Sequence, residues 1–259
     1  MKLSIITPTL NSMKYLEECA NSILLNQNYD NFEWLIIDGG STDSTIEILK
    51  SYQSSKIKII KDHSNHPSIA YNNGVKVATG DILGTLGSDD VYEKNIFDEI
   101  IKIFSNNQID WLIGHNSIID SKSNEVRKII TNFKTKKINN FSYKSLTLDN
   151  YVPMQSVFWR KNFMPDKIGY FNNEEFIESM DYDAWLRMAK VSKPHILKKK
   201  LSSFRVHKGS ITSKVNLKQM NEMTKISIKH GRINFFVKCY LYLKTAIIIL
   251  VYRVFKLFY

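Results

Sequence analysis

Four short stretches of this 259-residue chain carry the residue types that do chemistry. The first is Asp38-Gly39-Gly40-Ser41-Thr42-Asp43. Glycines let a backbone come close to a ligand, and Ser or Asp can cap a following helix. A plain tight turn between strand and helix would look the same. The second is Ser88-Asp89-Asp90. Adjacent carboxylates repel unless a cation or hydrogen-bond donors offset their charge, and Mg2+ or Mn2+ typically bridges one or two carboxylates to substrate phosphates. The competing reading is a solvated acidic turn before a helix. The third stretch sets Glu178, Asp181 and Asp183 around a helix start. A carboxylate there can act as a general base or simply complement the helix dipole. The fourth is Phe204-Arg205-Val206-His207-Lys208-Gly209-Ser210. Arg and Lys suit a diphosphate and His a metal ion, although a lone His is more often a surface or core residue.

The elements that must position these stretches follow from periodicity. Strand-like runs at 3–7, 32–38, 57–61, 82–86 and 111–114 alternate with helical stripes at 14–26, 44–54, 69–78 and 95–104. Near-continuous apolar strands between helices predict a mostly parallel sheet covered on both faces. Ligands bind such sheets beyond the carboxyl ends of the strands, and both the Asp38 and the Asp89 stretches fall at such ends. Beyond residue 115 the pattern changes. Segments 117–120 and 126–131 predict a hairpin, 132–150 reads as irregular, 154–159 as a strand and 181–191 as a helix, and 192–218 is Lys- and Ser-rich. No Gly- or Pro-rich linker intervenes, so 1–115 and 116–218 are expected to share one core.

Composition narrows the partners. With 43% hydrophobic and 24% charged residues, the chain can bury a core, which excludes whole-chain disorder. Lys and Arg number 36 against 25 Asp and Glu, a net +11 that calls for an anionic partner. Two cysteines, Cys19 and Cys239, make neither a disulfide framework nor a zinc site and fit a reduced, cytoplasmic setting. The first residues run directly into a strand pattern rather than a signal peptide.

More than half of the excess charge sits in 219–259, where Lys225, Lys229, Arg232, Lys238, Lys244, Arg253 and Lys256 face Glu222 alone. Residues 233–259 form one long apolar segment. At about 100° per residue, Asn234, Lys238, Thr245, Arg253 and Lys256 fall on a narrow polar stripe, with Lys244 off it. That pattern predicts a helix lying in a membrane interface with its cations against anionic headgroups. The longest uncharged run, 245–252, is far below the ~20 residues of a span. Packing against the domain, or association of copies into a homo-oligomer, is the other use for such a helix.

The order and spacing of SIITPTLN at 4–11, WLIIDGGSTDST at 34–45, NNGVKVATGDILGTLGSDDVY at 72–92, MDYDAWLRM at 180–188 and FRVHKGSIT at 204–212 resemble the family 2 glycosyltransferases. The resemblance spans about residues 1–215 and implies an α/β GT-A fold with a Rossmann-like, mostly parallel sheet and helices on both faces, to which the periodicity adds the C-terminal amphipathic helical tail. It implies inverting transfer of a sugar from a nucleotide-diphosphate sugar to a glycan or polyprenyl-linked acceptor in surface polysaccharide biosynthesis. Thr7, Pro8 and Asn11 would line the nucleotide site and Asp38 would face the base or ribose. Asp89 and Asp90 would be the acidic metal motif for Mn2+ or Mg2+, with Asp90 the likelier ligand. His207 would complete the metal or diphosphate site, joined by Arg205. The base would be Asp181, with Asp183 as the alternative. Residues 1–115 would bind the nucleotide sugar, 116–218 the acceptor, and 219–259 the inner face of the cell membrane.

Three departures shape these expectations. Gly39 stands where many relatives have a second Asp, and Met180 where many have Glu before the base. The Gln-x-x-Arg-Trp motif of processive synthases is absent, which implies a single addition. A nucleotidyltransferase would want a Gly-rich basic loop after the first strand, where this chain has TPTLNS. A nucleic-acid module would carry its cations on a folded face with stacking aromatics, whereas here they concentrate in an apolar helix, so no nucleic acid is expected.

Overall fold

The computed structural model describes residues 1–62, 66–209, 217–231 and 234–256. Ser210, Ile211 and Thr212 of the last motif, and Arg232, lie outside the described residues, as do the side chains of Lys244, Arg253 and Lys256. The chain opens with β1 (Leu3–Thr9), α1 (Met13–Leu24), β2 (Phe32–Asp38), α2 (Thr45–Ser51), β3 (Ile57–Lys61), α3 (Pro67–Val77) and β4 (Ile82–Thr85). Next come β5 (Val91–Tyr92), α4 (Phe97–Phe104), β6 (Trp111–Ile119), β7 (Glu125–Val126), α5 (Lys128–Asn139) and α6 (Tyr143–Leu146). The remainder is β8 (Val157–Arg160), α7 (Met180–Val191), β9 (His195–Arg205), α8 (Leu217–His230) and α9 (Phe235–Lys256).

Among the described residues one sheet runs β3-β2-β1-β4-β8-β6-β9-β5, with β7 paired to β6. Its first four strands are parallel. Beyond β4 the sheet becomes mixed: β8 is antiparallel to both β4 and β6, while β9 runs parallel to β6. The β2 segment FEWLIID is buried along its whole length, as a central parallel strand must be. Its acid near the amino end, Glu33, accepts from Ser4, Thr79, Lys2 and Lys58. Burial alone would lift its carboxyl, but those donors outweigh it and hold it far below the usual carboxylate range.

Alternation along the strands divides the core. Ile6, Leu35, Ile37, Trp111 and Trp159 join one apolar layer with Trp185 and Ile226, while Ile5, Trp34, Ile36, Leu112 and Phe158 join the other. Each layer draws on residues before and after 115, so the two halves share their core as expected.

Three expectations need correction, and one strand has no counterpart among the predicted elements. The segment 126–131 is not the second arm of a long hairpin: only Glu125 and Val126 pair with β6, and α5 starts at Lys128. The irregular stretch 132–150 is largely α5 and α6. Residues 195–205 form the long strand β9, whose period is obscured because its lysines sit on the exposed end of the sheet, where Lys199 and Lys200 pair with Glu99 and Glu93. The tail does not separate from the domain at 219. Helix α8 buries Ile226, Ser227 and His230, and Glu222 accepts from the backbone N–H groups of Glu178 and Ser179.

Candidate active site

The carboxyl ends of β1, β2 and β4 open into one cleft of about 550 Å³, the size of a small-molecule site. Pro8 to Ser12 form one wall, Ile37 and Gly39 the second, and Ser88 and Asp89 the floor, with His66, Pro67, His207 and Gly209 around the rim. The loops are tied to one another. The Ser12 and Ser88 hydroxyls lie 2.7 Å apart, and Asn11 Oδ1 accepts from the Thr42 N–H at 2.8 Å. Asn11 adopts a left-handed backbone (φ 49°), a conformation Asn tolerates better than most residues.

Several residues expected to touch a nucleotide do structural work instead. Thr7 is fully buried and its Oγ1 accepts the Trp34 indole N–H at 2.8 Å. Asp38 is buried too, and its carboxylate accepts from Gly40 N–H, Ser41 N–H and the Ser41 hydroxyl. It fixes the turn that carries Gly39 to the cleft and does not face the cleft itself. Arg205 is likewise fully buried. Its Nε donates to the Asp89 carbonyl, one terminal nitrogen to Asp120 O and Ser123 Oγ, and the other to Glu18 Oε2. Tyr15 covers the guanidinium at 4.6 Å. Arg205 therefore positions the Asp89 loop from below instead of reaching a diphosphate. Pro8, Asn11, Asp89 and His207 do line the cleft.

The acidic pair divides its roles. Asp90 is almost completely buried. Its Oδ1 accepts from the Arg205 backbone N–H and its Oδ2 from Gln155 Nε2, both at 2.8 Å. Burial and the adjoining Asp89 charge push its carboxyl up to about 8, against the pull of those donors. Asp89, expected as the lesser ligand, is the one that reaches the cleft, with Oδ2 3.1 Å from His207 Nε2. The His207 ring packs on Tyr15, 4.7 Å between centroids.

These residues fit a divalent cation. A carboxyl displaced to about 8 beside a second carboxylate is a site where added positive charge is favourable. Asp89 Oδ2 and His207 Nε2, hydrogen-bonded at 3.1 Å, are carboxylate and imidazole groups of the kinds such ions take. Among the described residues no group of three or more His, Cys, Asp or Glu side chains converges on one point. An ion held here would complete its shell with phosphate oxygens and water, the usual habit of Mg2+.

The third group stands at the start of α7. Burial above all, and after it the charges of Asp90, Asp89 and Asp181, raise the pKa of the Tyr71 hydroxyl. Asp181 starts α7, half-buried, and burial pushes its carboxyl above the usual range against the Tyr182 N–H, Asn150 and Lys134. Asn150 Nδ2 donates to Asp181 Oδ2 at 3.4 Å, while Asn150 Oδ1 is buried with no partner among the described residues. Asp183 is turned into the core. Its Oδ1 takes His230 at 2.8 Å and its Oδ2 takes Arg187 at 2.8 Å. Burial alone would lift that carboxyl, but His230 and Arg187 hold it below the usual range. A carboxylate already paired twice is a weak base, so Asp183 orients α7 against α8 and Asp181 is left as the basic group.

Sequence reasoning missed Lys14, Tyr15 and His66 at the cleft and Asn150 beside Asp181. Lys14 and Tyr15 stand in the first turn of α1 and His66 and Asn150 in loops, so their only sequence signal is adjacency to an element end. The arrangement offers a cleft of small-molecule size with Asp89 and His207 on its lining, and a separate half-buried carboxylate, Asp181, near the start of α7.

Comparison with known proteins agrees with this architecture. Residues 4–164 match the family model of Glycosyl transferase family 2. An uncharacterized glycosyltransferase of Haemophilus influenzae is 31% identical over 216 residues, covering 82% of each chain. The match covers 51% of this chain but only 41% of an uncharacterized Nostoc sp. glycosyltransferase, at 30% identity. A Methanococcus voltae dolichyl N-acetyl-alpha-D-glucosaminyl phosphate 3-beta-D-2,3-diacetamido-2,3-dideoxy-beta-D-glucuronosyltransferase is 27% identical, over 73% of this chain and 61% of its own. Among solved structures, Staphylococcus aureus TarS 1-349 in complex with UDP-GlcNAc superposes with a TM-score of 0.70 at 21% identity, over 93% of this chain and 69% of that one. The mannosyltransferase PcManGT from Pyrobaculum calidifontis, in complex with GDP-Man and Mn2+, gives 0.65 at 14%, over 94% and 69%. These likenesses identify the fold as GT-A. The chain belongs to glycosyl transferase family 2.

Proposed function

We propose that the chain is a metal-dependent, inverting glycosyltransferase that moves one sugar from a nucleotide-diphosphate donor to a glycan or polyprenyl-linked acceptor. One observation carries this reading: Asp89 and His207 meet at 3.1 Å on the lining of a cleft at the carboxyl ends of the parallel strands, while Asp181, held by Asn150, is a carboxylate with no salt-bridge partner among the described residues. In this reading Pro8, Asn11 and Gly39 hold the nucleotide, and Asp89 with His207 hold Mn2+ or Mg2+. A bound divalent cation would supply electrostatic stabilisation of the leaving diphosphate. Asp181 accepts the proton of the acceptor hydroxyl as it attacks the sugar from the face opposite the diphosphate, which inverts the anomeric centre. Asn150 orients that carboxylate, and its unpartnered Oδ1 is an acceptor for a substrate hydroxyl.

The nucleotide sugars and Mn2+ in the two solved relatives support the donor class, and the dolichyl phosphate substrate in the Methanococcus protein's name supports a lipid-linked acceptor. Helix α9 adds to the latter. Phe235, Phe236, Tyr240, Tyr242, Leu243 and Ile247 are exposed on it, although no helix of the described residues is long and apolar enough to cross a membrane. We place the protein on the cytoplasmic face of the cell membrane, with α9 lying in the interface, acting in surface polysaccharide synthesis.

The test is a panel of nucleotide sugars with Mn2+ and lipid-linked or free saccharide acceptors. Release of nucleoside diphosphate that depends on acceptor and cation is expected. Absence of release with every donor, or release unaffected by both Asp89→Asn and Asp181→Asn, would remove the assignment.

A further inference from the structure

Helix α5 has an apolar stripe on the wrong side. At about 100° per residue, Ile129, Phe133 and Ile130 fall within about 100° of one another, while the buried residues Thr131 and Ile138 lie on the other side. Ile129 is 87% exposed, Phe133 52% and Ile130 46%. Ile129 and Phe236 of α9, at 80%, are the two most exposed large apolar side chains among the described residues. Lys136 borders the stripe, Lys137 falls within it with its ammonium over the Phe133 ring, Arg127, Lys128 and Lys134 lie further round, and 127–139 contains no Asp or Glu. Apolar side chains among cations suit the acyl boundary and headgroups of an anionic bilayer.

The location gives the stripe a purpose. Lys134 of α5 lies within electrostatic reach of Asp181 and Asp149. Lys137 Nζ stands 4.0 Å from Asp149, and Asp149 lines a small cavity together with Leu241 and Thr245 of α9. Helices α5 and α9 thus flank residue 149, one position from the Asn150 that holds Asp181.

We propose that α5 is a second membrane-seating element. Ile129, Ile130 and Phe133 enter the acyl boundary of an anionic bilayer while Lys128 and Lys136 meet its headgroups. Seating α5 brings Asp181 to the surface from which the saccharide of a lipid-linked acceptor emerges. The purpose rests on the acceptor class proposed above, whereas the seating is measured without any transfer.

The experiment is co-sedimentation of the full chain with vesicles of phosphatidylglycerol and phosphatidylcholine, against phosphatidylcholine alone. Ile129→Ser with Phe133→Ser should lower partitioning onto the anionic vesicles about tenfold or more. Lys128→Gln with Lys136→Gln should lower it by roughly 25-fold, since each cation near an anionic surface is worth about fivefold. Thermal melting and nucleoside diphosphate release with a water-soluble acceptor should stay as in the parent chain. Unchanged partitioning of both α5 variants overturns the proposal. So does a switch from dimer to monomer without altered partitioning, which would assign the stripe to a second copy. A loss confined to Phe236→Ser with Tyr240→Ser in α9 overturns it too, yet leaves the proposed reaction standing. Conversely, α5-dependent vesicle binding in a protein that accepts no nucleotide sugar supports the seating and sinks the reaction.

Discussion

The molecule holds two pairs of aspartates, one in each half, and each pair separates its members by a different physical device. Asp89 and Asp90 lie in the turn between β4 and β5, closed by the Asp90 N–H on the Gly87 carbonyl. One reaches the cleft and the other turns inward to Arg205 N–H and Gln155. Asp181 and Asp183 begin a helix, where residues two apart lie about 200° apart. One stays half-buried near Tyr71 and the other meets Arg187 and His230. The inward member of the first pair is satisfied by neutral donors and its carboxyl rises to about 8. That of the second is satisfied by basic side chains and its carboxyl falls below the usual range. The lesson is that a carboxylate's role depends on what its neighbour is tied to: in both pairs the tied member holds the loop or helix that presents the other.

The strongest way to break this comparison is Asp181→Asn. Loss of a general base should lower kcat by roughly a thousandfold, with donor affinity by calorimetry unchanged. Because burial raises the Asp181 carboxyl, the acid limb of kcat/KM in the parent enzyme should fall above the ordinary aspartate value of about 3.9. A limb at or below that value would deny Asp181 the role.

Next is Asp89→Asn, which should weaken Mn2+-dependent donor binding about 100-fold, as expected for loss of several kcal/mol of charge stabilisation. Asp90→Asn should cost clearly less, because a neutral amide can keep the Arg205 N–H bond while Gln155 reverses its own amide. An equal or greater loss in Asp90→Asn would exchange the two assignments.

Asp183→Asn tests the locked member of the second pair. Leaving His230 and Arg187 without their buried partner should destabilise the fold by about 3 to 5 kcal/mol in chemical denaturation, while the acid limb of activity stays in place. The depressed carboxyl of Asp183 stabilises the fold above its unfolded pKa, and that benefit is lost as pH falls through the folded value. The gap in stability between parent and variant should therefore close in acid. The smallest effect belongs to Glu18→Gln. The Glu18 carboxylate is half exposed where it meets Arg205, so about 1 kcal/mol or less is expected. A large loss of donor binding there would mean that Arg205 governs the Asp89 loop through its charge balance more than through its backbone contacts.

Much of residues 1–115 was legible in the sequence because its strands read as unbroken apolar runs; Phe32–Asp38 and Ile57–Lys61 have the expected bounds. Residues 116–218 were less legible for two reasons. Strand β9 spends its first residues on the exposed end of the sheet, so lysines mask its period. Helix α5 buries only Thr131 and Ile138 and carries a second apolar stripe outward, so no single face stands out. Helix α8 was hidden inside a basic segment although it buries Glu222 and His230.

By itself the sequence determined the alternating architecture, the strand ends at which the acidic loops lie and the family to which the chain belongs, since these rest on local periodicity and on motifs contiguous in the chain. Only the tertiary structure decided that Asp89 lines the cleft while Asp90 turns inward, that Arg205 lies under the Asp89 loop, and that Asp183 is consumed by His230, 47 residues away. Those outcomes turn on hydrogen-bond and charge partners that arrive from distant segments. A carboxylate's burial and pKa are set by such partners, and residue order along the chain does not encode them.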